Sequence, residues 1–155
     1  MRIRILSITH KTPKWIEEGY HEYAKRLPHF CTLELVEIPS EKRLPKSNLI
    51  RAVEREGMRM LNTIHKNHTV IALDVKGKLI STEQLADRLS QWQQDGTSLD
   101  LLIGGPDGLA PSCLQVAHEK WSLSHLTFPH IFVKLILAEQ LYRGFSILQK
   151  HPYHK

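Results

Sequence analysis

The stretch Leu99-Asp100-Leu101-Leu102-Ile103-Gly104-Gly105-Pro106-Asp107-Gly108-Leu109-Ala110-Pro111 decides how the chain is read. A short apolar run, broken by a glycine-rich turn and reopened by a proline, predicts a buried strand, a tight loop and the first turn of a helix. Ligands of open α/β sheets settle in such strand-to-helix loops, where glycines leave backbone N–H groups uncovered for a bulky molecule. A purely structural turn, with Pro106 presetting one dihedral, accounts for the same residues equally well. A Walker phosphate loop is excluded because no Gly-Lys-Ser or Gly-Lys-Thr follows, and the dinucleotide spacing Gly-x-Gly-x-x-Gly is absent.

Working outward, Thr69 to Leu73 reads as another buried strand, and Val75-Lys76-Gly77-Lys78 as the turn after it. Ser81 and Gln84 have capping-box spacing for a helix carrying Leu85, Leu89 and Trp92, which Asp95-Gly96 ends. Towards the N-terminus, Arg2 to Ile8 is a strand, and Ile16, Tyr20, Tyr23 and Leu27 line one helical face between Pro13 and Pro28. The strict alternation of Leu33 to Ile38 marks a half-exposed strand, and the polar residues 40–48 a surface loop. Leu49, Val53, Met60 and Ile64 mark the next helix, with Gly57 on the same stripe for close packing. Beyond Pro111 the pattern predicts a short helix and a short strand from Trp121 to Ser124. After Thr127-Phe128-Pro129 comes a long helix with Val133, Ile136, Leu137, Leu141, Phe145 and Leu148 on a broad face, wide enough for the sheet and a second subunit. Strands alternating with helices predict an α/β domain: a mostly parallel sheet flanked by helices, with its ligand edge at the strands' carboxyl ends.

The 155 residues suit one domain, 1–155, with no room for a separate recognition module. Lys and Arg number 21 against 16 Asp and Glu, a net charge of +5 that favours polyanionic partners. Lys42, Arg43, Lys46, Arg51 and Arg55 gather in one loop and the helix it feeds. They are a candidate phosphate-contacting face, although the interleaved Glu41, Glu54 and Glu56 equally describe a solvated surface. Cys31 and Cys113 stand far apart and outside any metal-ligand spacing, which argues against a disulfide framework or structural metal and fits a reducing, cytoplasmic setting. The N-terminus has charges inside its apolar stretch, and Lys134 interrupts the richest later run, so neither export nor a membrane span is expected.

His65 and His68 have an i, i+3 spacing that metal sites use, but no third ligand accompanies them and a solvent-facing pair is expected. Cys113 has no partnered base in the sequence, which argues against nucleophilic catalysis. The terminus His151-Pro152-Tyr153-His154-Lys155 is rich in aromatic and titratable groups, which suggests a docked end, although a harmless polar end or an affinity-tag remnant accounts for the composition equally well.

Several segments together resemble the SPOUT-class methyltransferases, in particular the small ones acting on large-subunit ribosomal RNA. They are Leu101 to Leu109, Thr127-Phe128-Pro129-His130, Ala138-Glu139-Gln140-Leu141-Tyr142-Arg143 and Tyr153-His154-Lys155. The likeness spans the whole chain, including Pro13-x-Trp15 and Ile38-Pro39; Asp107 stands where many members have Glu. It implies an α/β trefoil knot in the C-terminal part and a homodimer. The implied reaction is methylation of N3 of a pseudouridine in 23S ribosomal RNA, with S-adenosylmethionine as donor. Carried over by position, Leu73, Gly104, Leu123, Ser124, His125, Leu126, Thr127 and Phe128 would hold the donor, His125 through its main chain.

The chemistry of an imide N–H requires a proton acceptor. His154 and His151 are candidates, Tyr153 is a stacking or orienting group, and Arg143 is a partner for a phosphate or the imide anion. A mobile tail reaching over a partner's pocket would enlarge the RNA-binding surface of so small a protein. Two other readings remain open: a knotted methyltransferase acting on another RNA, and a noncatalytic ribosome-associated RNA-binding factor.

Overall fold

The computed structural model describes residues 1–43 and 48–155; Lys46 of the basic loop lies outside the described residues. Five strands, β1 (Arg2–Ile8), β2 (Thr32–Ile38), β3 (Thr69–Leu79), β4 (Leu99–Ile103) and β5 (Glu119–Ser122), form one sheet in the order β2-β1-β4-β3-β5. Every pairing between them is parallel. Five helices cover it: α1 (Lys14–Ala24), α2 (Leu49–Thr63), α3 (Thr82–Asp95), α4 (Pro111–Val116) and α5 (His130–Leu148).

A parallel sheet needs cover on both faces, because each return crossing lays a helix against it. Residues of β1 divide accordingly: Ile3 and Ile5 join a core with α1, α3 and α5, whereas Leu6 and Ile8 join a second core with α2 and α4. All five residues of β4 are buried, as the continuous apolar run requires of a central strand. Gly57 lets α2 and α4 approach closely, since a Cβ there would come within 2.4 Å of the Ala110 Cβ.

Local signals set several boundaries. Ser81 and Gln84 form the reciprocal capping box of α3, and Gly96 ends that helix at φ +67°. Pro111 opens α4. The helix α1 stops at Ala24, short of Leu27 and Pro28, in a tighter turn closed by Arg26 N–H on the Tyr23 carbonyl at 3.0 Å.

Two expectations are corrected. The segment after Leu73 is not a turn ending the strand: β3 continues to Leu79, because Leu73 and Lys78 both pair with Trp121 and residues 74–77 bulge out between them. His68 is buried, not solvent-facing. Its Nδ1 lies 2.8 Å from Asp100 Oδ1, and exposed His65 stacks on it at 4.3 Å. Asp100, fully buried, also accepts from Arg4 Nε (2.7 Å), Arg4 Nη2 (2.6 Å) and the His65 N–H (2.8 Å). Burial alone would push the Asp100 carboxyl up; these donors outweigh it and hold the group below its ordinary value.

Candidate functional site

Because all five strands run the same way, their carboxyl ends meet at one edge. A cavity of about 680 Å³ opens there, walled by the segments that leave β3, β4 and β5 and by the first turn of α5. Leu73 and Asp74 come from β3, Ile103 to Leu109 from β4 and its loop, Trp121 to Ser124 and Leu126 to Pro129 from β5 and beyond, and His130 and Val133 from α5.

The glycine-rich loop is a closed turn that also forms part of the cavity wall. Gly108 N–H donates to the Gly105 carbonyl at 3.1 Å, closing a turn with Pro106 at its second position, and the turn lines the cavity. Gly108 holds φ +80°, and a Cβ on Gly104 would come within 2.4 Å of the Gly108 carbonyl carbon. Only glycines allow this loop to fold back on itself.

Of the residues expected to hold a donor, Leu73, Gly104, Leu123, Ser124, Leu126, Thr127 and Phe128 all line the cavity. His125 does not. It is exposed and borders a neighbouring depression beside Val75 and Gly77. The segment is pinned by Leu126 N–H donating to Ser124 Oγ (2.9 Å) and Ser122 Oγ donating to the Ser124 carbonyl (3.0 Å).

The residues expected to act on the proton stand elsewhere. Arg143, His151, Tyr153 and His154 line no part of this cavity. The tail is docked on its own chain, which corrects the picture of a mobile arm. Lys150 takes φ +56° at the end of α5 and His151 N–H donates to the Ser146 carbonyl at 2.8 Å, a reversal that sends the chain back along the helix. Tyr153 then donates its hydroxyl to Glu139 Oε1 (3.0 Å), packs its ring against Tyr142 (4.6 Å) and carries the Arg143 guanidinium over its face (4.7 Å). Arg143 Nη1 lies 3.3 Å from His154 Nδ1, whose Nε2 lies 3.3 Å from Glu83 on α3. Burial, then the neighbouring Tyr23 and Glu139, push the Tyr153 hydroxyl up, so it stays a neutral donor.

Ile103, Leu114 and His130 also line the cavity, and sequence reasoning did not assign them to it. Ile103 was within reach, since it stands at the end of β4. Burial lowers the His130 imidazole below its ordinary value, and Lys134, one turn on, adds to this. Of the expected basic face, Lys42, Arg51 and Arg55 are exposed. Arg43, partly exposed, is instead engaged by two carboxylates, those of Glu56 and Asp107. No cluster of His, Cys, Asp or Glu able to hold a metal occurs among the described residues. Cys113 is buried, and burial pushes its thiol up.

A parallel α/β sheet with a glycine-lined cavity at its carboxyl edge defines a binder of a mid-sized ligand with apolar and amide-recognising parts. The family model "Predicted SPOUT methyltransferase" matches residues 1–154, and the chain belongs to that family. It is similar to proteins called ribosomal RNA large subunit methyltransferase H from Marinomonas sp., at 50% identity, and from Saccharophagus degradans, at 52%. Both alignments run over 155 residues and cover 100% of each chain. The fold is similar to that of a methylase family protein from Haemophilus influenzae, with a TM-score of 0.58 and 12% identity over 99% of this chain and 70% of the other. Methyltransferases of the SPOUT class use S-adenosylmethionine as methyl donor.

Proposed function

We propose that residues 1–155 form one domain that methylates N3 of a pseudouridine in large-subunit ribosomal RNA, acting as a homodimer. One observation carries this reading. A chain matched end to end by large-subunit RNA methyltransferases places its apolar and glycine walls around one cavity at the sheet's carboxyl edge.

The residues present fit the donor. Leu73, Leu123, Leu126 and Phe128 offer apolar surface for a purine, and the Gly104–Leu109 turn, which a Cβ would jam, brings main chain to the cavity wall. When bound, S-adenosylmethionine supplies an electrophilic methyl group. The protein has to hold the nucleobase in line and take up the imide proton. Orientation contributes several kcal/mol to such a transfer, and a base of near-neutral pKa contributes roughly a further hundredfold or more.

His154 and His151 are the proposed proton acceptors, Tyr153 the orienting ring and Arg143 the partner of a phosphate or imide anion. Since their own chain's cavity excludes them, they would serve the cavity of a second copy. The exposed pair Trp15 and Phe132, in edge contact at 5.2 Å, supplies apolar surface for such a contact.

Methyl transfer from labelled donor to ribosomes lacking the modification tests the reading, with pseudouridine and uridine versions compared. Labelling of the pseudouridine form is expected. Equal labelling of both would overturn the assigned nucleobase. Absence of donor binding in calorimetry would favour a noncatalytic RNA-binding factor.

A further inference from the structure

We infer that Arg43 is a positioning residue for the donor loop, a clasp that holds the Gly104–Leu109 turn against α2 through Asp107 and Glu56. The inference rests on the reading of that cavity as the donor site.

Three parts of the chain meet at one guanidinium. Arg43 Nε donates to Asp107 Oδ2 at 2.8 Å; Nη2 donates to Glu56 Oε1 at 2.9 Å; Nη1 donates to Glu56 Oε2 at 3.0 Å and to the Glu41 carbonyl at 2.8 Å. Glu56 is almost fully buried, and its Oε2 also accepts the Glu41 N–H at 2.9 Å. The Glu56 end is therefore a fixed anchor, and the planar fork of Arg43 carries that fixity to Asp107.

Asp107 is the third residue of the turn, between Pro106 and Gly108, whose φ of +80° suits a glycine, and it lines the cavity. Within itself the turn is closed by the Gly108 N–H bond to the Gly105 carbonyl and by the antiparallel bridge between the same two glycines, while Asp107 ties it by an ion pair to the rest of the fold. That bridge fixes the turn internally, and the tie through Asp107 fixes where the turn stands against α2 before the ligand arrives. Pre-organising it in this way strengthens binding without adding a contact to the ligand. With both carboxylates engaged, Arg43 is not offered to an RNA phosphate, unlike exposed Arg51 and Arg55.

The test uses Asp107→Ala, which removes the acceptor of the tie and leaves the Arg43 to Glu56 anchor whole. Asp107→Glu serves as the conservative control, and Arg43→Met as the harsher variant. S-adenosylmethionine affinity is measured by calorimetry, together with the donor KM, kcat and the salt dependence of RNA binding. Asp107→Ala and Arg43→Met are expected to weaken donor affinity roughly tenfold, the effect of losing about one charge-assisted bond's worth of order. Asp107→Glu should stay near the wild type, and the RNA salt slope should be unchanged in all three. Unchanged donor affinity in Asp107→Ala, beside a wild-type protein that binds, would overturn the clasp alone. A shallower salt slope in Arg43→Met would make Arg43 a phosphate contact. A wild-type protein that fails to bind the donor would overturn the donor-site reading, and the clasp with it.

Discussion

Gly57→Ala measures how tightly the second core is closed. An alanine Cβ at this position would stand 2.4 Å from Ala110 Cβ and 3.3 Å from Ser112 Oγ, on the helix that follows the cavity loop. Carbon atoms rest about 3.5–4.0 Å apart, so α2 and α4 would have to part by more than about 1 Å. Overpacking of this kind costs about 1–3 kcal/mol. Replacing glycine by alanine inside a helix offsets roughly 0.8–1 kcal/mol of that. The balance is a loss of about 1 kcal/mol, or about 2–4 °C in Tm for a chain of this size. Urea unfolding and thermal melts of Gly57→Ala, Ala110→Gly and the double variant form the assay. The double variant removes the colliding methyl at a helix N-cap, where glycine is well tolerated. It should recover wild-type stability or exceed it, with a coupling energy of about 1–2 kcal/mol. A single Gly57→Ala variant more stable than the wild type, or strictly additive effects, would refute the packing argument.

The remaining predictions concern charge. Asp100→Asn leaves the Arg4 guanidinium buried without its counter-ion and should cost about 3–5 kcal/mol in urea unfolding; a loss below about 1 kcal/mol would show that solvent reaches the pair. Since the folded-state value of Asp100 is depressed, its contribution is fully present above the unfolded carboxylate value. That contribution is lost as pH falls through the folded value, so acid unfolding of Asp100→Asn should lack this component. His154→Ala should lower turnover far more than donor affinity, as removal of a proton acceptor does; unchanged single-turnover rates would take it out of the mechanism.

The fold was legible wherever neighbours in sequence carry the signal. The run Leu99 to Ile103 announces a strand buried on both faces, Ser81 with Gln84 announces a helix start, and Gly96 announces a helix end. Each is decided within a few residues by hydrogen bonds or by burial. What went unread depends on partners far along the chain. His68 is buried because Asp100, 32 residues away, sits beside it in the sheet's neighbouring strand. Residues 78 and 79 return to the ladder because Trp121 and Ser122 are there to receive them. Arg43 looks like any surface cation until Asp107, 64 residues on, takes its Nε–H.

The candidate site divides along the same line. Its apolar walls follow from strand order alone, since parallel strands must end at one edge and the loops leaving β3, β4 and β5 must face one another there. Its polar chemistry does not follow, because a carboxylate or guanidinium is defined by whatever completes its hydrogen bonds. The tail shows the difference most plainly. Its composition marked it as docked, yet where it docks was set by the left-handed turn at Lys150 and the acceptor Glu139, neither of which has a periodic signature. A sequence of this length can therefore locate a binding edge from patterning, while assigning a proton acceptor requires knowing which surfaces a second copy brings to it.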